Sequence, residues 1–164
     1  MITFDPNLRP PLWKSREEAR EQILWGLSRA DVVKISDDEV EFLWGITDET
    51  EAAGKLLNEY GVRLAMITLG PKGAYLANRN GGARAVCPPV KPIDTTGAGD
   101  IFGGSAVARL LKTGKEPDCL TVEELAAIAA FASTAASLST QVTGGIPSIP
   151  SEEAVLMHLC TGNA

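Results

Sequence analysis

Residues 94–104 read Asp-Thr-Thr-Gly-Ala-Gly-Asp-Ile-Phe-Gly-Gly, a glycine-rich loop that runs into a predicted helix over about residues 101–113. Before this loop, apolar and β-branched runs typical of strands alternate with segments typical of helices. The predicted strands are residues 2–4, 31–36, 64–69, 74–77 and 84–87. Such alternation favours an α/β fold, with a largely parallel sheet covered by helices. We expect a single domain over residues 1–164.

Sequences of the capping-box type mark three predicted helix starts. Each pairs a serine or threonine with a glutamate three residues later, so that both side chains can satisfy backbone amides of the first turn. The pairs are Ser15 with Glu18, Ser36 with Glu39, and Thr121 with Glu124. The third pair opens a long alanine-rich helix that ends near residue 140, and Ser151 is predicted to cap a last helix.

The composition limits the classes of partner. The chain has 164 residues, 45% of them apolar, with a formal net charge of −6 and a sequence pI of about 4.8. An acidic chain disfavours general binding to nucleic acid or to an anionic membrane. Residues 1–13 lack the basic and apolar regions of a signal peptide. The longest apolar stretch, residues 125–138, is too short to cross a bilayer. We expect a cytoplasmic protein in which this stretch forms a buried helix.

The histidine and cysteine content limits the kinds of metal site, catalytic relay and disulfide that the chain can form. His158 is the only histidine, which rules out a zinc site built on two or three histidines and leaves one residue for any serine–histidine relay. Cys87, Cys119 and Cys160 are odd in number and have no C-x-x-C spacing. They therefore fit reduced thiols better than a disulfide framework.

The glycine-rich loop does not match the two common phosphate-binding loops. A dinucleotide fingerprint requires G-x-G-x-x-G, but Phe102 occupies the third glycine position. A P-loop requires a lysine after its second glycine, and Ser105 stands there. What remains is a turn at a helix N-terminus, where backbone N–H groups and the helix dipole can bind an anion. The amides in question belong to Gly97, Ala98 and Gly99.

Two interpretations of Asp100, which follows this turn, are open. A carboxylate repels a phosphate, so its place beside an anion site suits a general base that accepts a proton from an attacking hydroxyl. Alternatively, Asp100 is an acidic residue of the first helical turn, favoured there by the helix dipole.

The loop as a whole, residues 94–104, resembles the second signature of the PfkB, or ribokinase-like, family of carbohydrate kinases. Other segments resemble this family in the same order, namely residues 4–13, 34–43, 68–73 and 144–148. The resemblance spans about residues 2–159 and covers only the C-terminal half of the family's fold. It implies the C-terminal portion of a ribokinase-like three-layer α/β/α sandwich, without the half that carries most sugar-binding residues.

The resemblance also implies roles for individual residues. Asp100 matches the base that deprotonates the sugar hydroxyl, beside an anion hole matched by Gly97, Ala98 and Gly99. The turn that lies against the ATP phosphates is matched by Thr68, Gly70 and Gly73. Ser133 stands near the adenine, where many relatives have asparagine. Arg9 matches a position that approaches the sugar in some relatives, with a solvent-exposed loop arginine as the alternative.

Two cation sites are implied in the same way. Glu39 matches an acidic position linked to Mg²⁺ through its water shell, and its capping box with Ser36 is a compatible structural role. A monovalent cation such as K⁺ would lie behind the anion hole, bound to Asp94 and the carbonyl of Thr96. Its remaining ligands would be the backbone of Ser139, Val142 and Gly144, together with Ser148. The alternative is that Asp94 only caps its own loop.

We therefore expect ATP-dependent phosphorylation of a sugar hydroxyl, with fructose as the best-supported acceptor and ribose or 2-keto-3-deoxygluconate as alternatives. The competing hypothesis is a catalytically silent nucleotide-binding module. An exposed strand edge and apolar helix faces, left without the other half, predict self-association or pairing with a separate half.

Overall fold

The computed structural model describes residues 1–161, which form one five-stranded sheet flanked by six helices. The strands are β1 (Thr3–Phe4), β2 (Val32–Ser36), β3 (Leu64–Thr68), β4 (Ala74–Asn78) and β5 (Gly81–Ala85), and they lie in sequence order. The helices are α1 (Arg16–Leu27), α2 (Asp37–Trp44), α3 (Glu49–Glu59), α4 (Ala98–Thr113), α5 (Val122–Ser139) and α6 (Glu152–Thr161).

The sheet is mixed rather than largely parallel. Strands β1, β2 and β3 are parallel neighbours, whereas β4 pairs antiparallel with both β3 and β5. The difference from the sequence expectation arises at residues 70–73, where a tight 3₁₀ turn reverses the chain directly from β3 into β4. A parallel connection would need a crossover of a dozen or more residues, and this segment is too short for one.

Helices cover both faces of the sheet, so the three-layer α/β/α architecture is confirmed. On one face, Val33, Ile35 and Ile67 pack with buried residues of α1, α2 and α3. On the other face, Val32 and Met66 pack with buried residues of α4 and α5. Neighbouring residues of β2 therefore point to opposite layers, as the two-residue period of a strand requires.

The predicted capping residues begin their helices as expected. Complete capping boxes start α2 and α5, while Ser151 accepts from the Ala154 amide at the start of α6. At α1, Ser15 accepts from the amide of Glu18, but the Glu18 carboxylate accepts from the Lys14 amide instead of completing the box. The caps of α2, α5 and α6 form as predicted because the bonds join residues only three positions apart, whereas the box predicted at α1 is half formed.

Helix α5 is 18 residues long and, by length and composition alone, could cross a membrane. More than half of it, 56%, is buried inside the fold. The helix packs against α4, α6 and strands β4 and β5. The helix has the bounds predicted from Thr121 to near residue 140, so the expectation that its apolar part is too short to cross a bilayer does not hold for the whole helix. Its apolar character is accounted for by packing in the core, as the sequence predicted.

Candidate active site

The glycine-rich loop forms the N-terminus of α4. Gly97 is the N-cap with φ = 79°, a left-handed conformation that side chains disfavour. A Cβ at this position would lie 3.0 Å from the Cα of Gly145, so the close approach of the two loops also requires glycine. The helix begins at Ala98, three residues earlier than predicted, because the Gly97 carbonyl already accepts from the Ile101 amide at 2.8 Å.

This geometry refines the predicted anion hole. The Ala98 amide donates to the Thr95 carbonyl at 3.2 Å, so it is already engaged within the loop. Within residues 1–161, the amides of Gly97, Gly99 and Asp100 have no hydrogen-bond acceptor. These are the free N–H groups of a helix N-terminus, and they can bind a phosphate with help from the helix dipole.

A large cavity of about 780 Å³ opens beside this helix terminus. Its lining brings together half of the predicted site residues, namely Arg9, Glu39, Thr68, Gly70, Gly73, Ala98, Gly99 and Ser133. The cavity lies at the carboxyl ends of β2 and β3, where parallel strands of α/β folds commonly bind ligands. Its volume is large enough for a nucleotide-sized ligand.

Asp100 opens onto a second cavity, of about 490 Å³. The residue is exposed in the first turn of α4, and Gly97 lines the same cavity. The first turn of α4 therefore separates the two cavities, with Gly99 facing one and Asp100 the other. Arg9, the other predicted sugar-site residue, is exposed and lies in the first cavity, so the structure does not place it with Asp100.

The Thr68–Gly73 turn forms one wall of the larger cavity. Gly70 and Gly73 have φ values of 55° and 104°, and the Gly73 carbonyl accepts from the Leu69 amide at 2.8 Å. A Cβ at Gly73 would overlap the carbonyl oxygen of Ala85 on β5. Both glycines are therefore required by the backbone path, and they leave the edge of the cavity free of side chains.

Glu39 is buried and fully engaged by the protein. One carboxylate oxygen accepts from the Leu8 amide at 2.6 Å, and the other accepts from the amide and hydroxyl of Ser36 at 2.9 and 3.0 Å. The capping box is thus observed, and the Leu8 bond adds a tie to the loop after β1. A carboxylate with these partners fits an indirect role near a metal ion better than direct ligation.

The residues predicted for a monovalent cation lie on two loops that the structure joins. Asp94 accepts from the amides of Thr96 at 2.9 Å and Gly144 at 2.8 Å, and these bonds hold its pKa below the usual range, the Gly144 bond most strongly. Ser139 and Ser148 are buried, but their hydroxyls donate to neighbouring carbonyls at 2.7 and 2.8 Å.

Val142, another residue predicted to bind the monovalent cation, is more exposed than these two serines. Val142 is 48% exposed, and its amide donates to the Ser139 carbonyl at 3.1 Å. The carboxylate and carbonyl oxygens of this loop pair are ligands that suit a hard cation. Among the described residues there is no cluster of three or more acidic, histidine or cysteine side chains that could hold a metal by themselves.

Ser133 lies on α5 in the wall of the large cavity and is only 1% exposed. Its hydroxyl has no hydrogen-bond partner within the described residues. Burial of a hydroxyl group without a hydrogen-bond partner lowers the stability of the fold. It is therefore a candidate ligand contact at the predicted adenine end of the cavity.

One charged pair at this site was not expected from the sequence. Lys34 on β2 is buried, lines the large cavity and forms an ion pair with Asp5 at 3.1 Å. A lysine within a β-branched run that reads Val-Val-Lys-Ile was the available signal. A charge in the middle of a buried strand needs a partner or a function.

Comparison with known proteins identifies the relatives of this fold and site. The profile of the pfkB family carbohydrate kinase matches residues 1–152. Fructokinase-1 of Zea mays is 39% identical over 157 residues, covering 95% of this chain and 48% of the relative. The probable fructokinase-2 of Arabidopsis thaliana is 36% identical, covering 97% of this chain and 48% of the relative. The chain thus spans about half the length of the curated relatives it matches.

Solved structures agree with this relationship. A fructokinase double mutant of Vibrio cholerae O395, bound to fructose, ADP and potassium ion, superposes with a TM-score of 0.82 at 31% identity. That match covers 94% of this chain and 49% of the other. Aminoimidazole riboside kinase of Salmonella enterica superposes with a TM-score of 0.79 at 29% identity, covering 96% and 51%. The family profile, the sequence relatives and the shared fold agree, and the chain belongs to the pfkB family of carbohydrate kinases.

Proposed function

We propose that residues 1–164 form one domain, the nucleotide-binding and base-bearing half of a kinase that transfers a phosphoryl group from MgATP to a sugar hydroxyl. The observation that carries this proposal is the position of the α4 N-terminus. Its free amides lie between a nucleotide-sized cavity and a second cavity that contains the Asp100 carboxylate. Donor and acceptor could therefore approach the same helix terminus from opposite sides.

The chemistry follows from these groups. The sugar oxygen attacks the γ-phosphorus in line, its O–H proton passes to Asp100, and the bond to the ADP oxygen breaks. The amides of Gly97, Gly99 and Asp100 would bind the phosphoryl oxygens as negative charge builds on them. Mg²⁺ bound to ATP neutralises phosphate charge. Glu39 would act on it only through water, since both of its oxygens accept hydrogen bonds from the protein.

Fructose is the acceptor that the comparisons favour. The sequence relatives described above are fructokinases, and one solved relative contains fructose with ADP. The first cavity would take ATP between the Thr68–Gly73 turn and Ser133. Ribose and 2-keto-3-deoxygluconate remain alternative acceptors, to be separated by assay.

The same proposal includes a potassium ion that orders the loop at the start of α4. The solved fructokinase relative contains potassium ion. Asp94 and Thr96 lie three residues and one residue before Gly97, and Asp94 accepts a hydrogen bond from the Gly144 amide, which joins the two loops. A cation bound by these two loops would restrain the start of α4. Exchange of potassium for tetramethylammonium should then lower the melting temperature, and an unchanged value would contradict the cation site.

Assembly with another polypeptide is a further part of the proposal. β1 is a two-residue strand at the end of the sheet, and Met1 and Ile2 are 58% and 57% exposed. An unpaired strand edge beside exposed apolar side chains favours association. Light scattering should show a homo-oligomer at high protein concentration, and a monomer there would contradict this part.

The experiment that tests the function is a coupled ADP-release assay with and without fructose, alongside ATP binding by calorimetry. Sugar-dependent turnover supports the kinase, whereas ATP binding without turnover supports a silent nucleotide-binding half. If turnover is measured, Asp100→Asn should reduce it by about 100-fold or more, with little change in ATP affinity.

Glu123→Gln is the matched control, because Glu123 is an exposed acidic residue in the first turn of α5. This variant tests whether the loss of any carboxylate in the first turn of a helix is sufficient to reduce turnover. Equal activities of the Asp100 and Glu123 variants would remove Asp100 as the base.

A further inference from the structure

Cys87 is the cysteine that lines the nucleotide-sized cavity. The other two, Cys119 before α5 and Cys160 on α6, are exposed and line neither of the two cavities described above. Cys87 follows β5 by two residues and is half-buried. The residue between them, Val86, is 74% exposed, whereas Ala85 is buried. The alternation of the strand therefore continues to Cys87 and directs its side chain inwards.

The thiol of Cys87 lies against the turn that follows β3. Its Sγ donates to the Gly70 carbonyl at 3.6 Å, the contact of a weak S–H donor. A Cβ at Gly73 would lie 2.8 Å from the Val86 Cα, so this turn packs directly on the segment that carries Cys87. The following residue, Pro88, restricts Cys87 to an extended backbone. Backbone geometry thus holds the thiol at the wall of the cavity formed by the Gly70–Gly73 turn.

Ser133 gives independent evidence that this cavity holds a ligand. Its side chain is 1% exposed, lines the same cavity and has a hydroxyl without a partner among residues 1–161. Buried polar groups of native proteins are normally hydrogen-bonded, so a ligand atom is the missing partner of this hydroxyl. Cys87 therefore brings a thiol, which is a nucleophile in its thiolate form, to the wall of a ligand cavity.

We propose that Cys87 is a thiol–disulfide modification site, at which a small disulfide of the glutathione type attaches a group that excludes nucleotide from the cavity. Bound nucleotide in turn blocks the modification. The proposal rests on the proposed nucleotide site, because it assigns a second, covalent ligand to the same space. It uses a residue that takes no part in the proposed phosphoryl transfer.

The reaction exchanges one disulfide for another. The Cys87 thiolate attacks one sulfur of glutathione disulfide, a new S–S bond forms to that sulfur, and the original S–S bond breaks. The released glutathione thiolate takes up the proton that Cys87 lost. Cys87 is oxidised and one half of the glutathione disulfide is reduced, so no further oxidant is required. Dithiothreitol reverses the modification by the same exchange.

The attached group would compete with a nucleotide through both its size and its charge. The cavity of about 780 Å³ is of the size that holds one small-molecule ligand. A glutathionyl group is a tripeptide with a net negative charge, and it would be fixed beside the Gly70–Gly73 turn. Asp37, Asp38 and Glu39 already line this cavity. Added negative charge therefore disfavours an anionic nucleotide further.

The three cysteines provide the variants for the test. One chain carries Cys119→Ser with Cys160→Ser and keeps Cys87, and the matched control carries Cys87→Ser and keeps the two exposed cysteines. Each 164-residue chain is treated with glutathione disulfide in the presence and absence of ATP, and mass spectrometry counts the attached groups. Calorimetry measures ATP binding before treatment, after treatment and after reduction with dithiothreitol.

The two chains should respond differently. The chain that keeps Cys87 should gain one glutathionyl group and then bind ATP about tenfold more weakly or worse, with binding restored by dithiothreitol. ATP present during treatment should slow this gain. The Cys87→Ser chain should gain its groups at the same rate with and without ATP, and its affinity for ATP should change by less than about twofold on treatment.

A smaller reagent separates exclusion of the nucleotide from a requirement for the free thiol. Methyl methanethiosulfonate transfers only a methylthio group to Cys87, which adds little bulk and no charge. This group should weaken ATP binding much less than the glutathionyl group does. Equal losses with the two reagents would overturn exclusion by size and charge. If the double variant fails to fold, peptide mapping of the treated wild-type chain makes the same comparison for each cysteine.

The outcomes separate this inference from the proposed function. Modification of Cys87 that leaves ATP binding unchanged, or that ATP does not slow, overturns the modification site and leaves the nucleotide site intact. Failure of Cys87 to react under conditions that modify Cys119 and Cys160 also overturns it. If the untreated chain binds no ATP, the proposed nucleotide site fails and this inference fails with it.

Discussion

Substitution of Glu39 by glutamine tests how the structure joins the cavity wall to the loop after β1. The Glu39 carboxylate is 7% exposed and accepts three hydrogen bonds, from the Leu8 amide and from the amide and hydroxyl of Ser36. A glutamine side chain keeps one acceptor oxygen and replaces the other by an NH₂ group. Whichever way the amide is turned, one of the backbone N–H groups then faces a donor.

The expected cost follows from these contacts. A hydrogen bond to a charged group contributes about 1.5–3 kcal/mol, and a buried donor left without an acceptor costs about 1–3 kcal/mol. Together they predict that Glu39→Gln lowers the free energy of unfolding by about 3–5 kcal/mol. For a chain of this size, the melting temperature should fall by about 10 °C.

Urea unfolding measures this loss directly, with Glu124→Gln as the control. Glu124 occupies the same capping-box position on α5, but its side chain is 30% exposed and pairs with Lys115. Its loss should cost about 1 kcal/mol or less, because water can replace the bonds. Hydrogen exchange of the Leu8 amide should accelerate only in Glu39→Gln. Equal losses of stability in the two variants would refute the argument from burial.

Two further outcomes are expected. Gly73→Ala should lower the free energy of unfolding by about 2 kcal/mol or more, because residue 73 has φ = 104° and the new methyl group would overlap the Ala85 carbonyl. Gly104→Ala is the control in the same urea experiment. Its methyl group meets open space inside α4, so this substitution should be neutral or stabilising. The hydrogen bond from the Gly144 amide lowers the pKa of Asp94 in the folded chain. The stability that this bond contributes is therefore fully present above the pKa of the unfolded chain, near 4, and is lost as the pH falls through the lowered pKa of the folded chain. The Gly144 amide resonance should report that titration, and Asp94→Asn should abolish it.

The order of elements and several of their ends could be predicted because they depend on near neighbours. Ser36 and Glu39 are three positions apart, and their capping box forms wherever the helix forms. The Gly-Ala-Gly turn is similarly local, since a glycine with positive φ is needed to start α4 there. The sequence therefore indicated the α/β sandwich, the helix terminus and the family.

Contacts between distant residues decided the remaining features. The sequence did not indicate that Glu39 also binds the Leu8 amide, 31 positions away, or that Lys34 pairs with Asp5, 29 positions away. Both contacts exist because parallel strands β1 and β2 bring their carboxyl ends to one edge of the sheet. The sequence predicts that Lys34 lies in a strand over residues 31–36, but only the packing of β2 against Gly99 determined where its charge lies. A strand pattern specifies which residues alternate across a sheet, whereas the atoms that surround them depend on the whole fold.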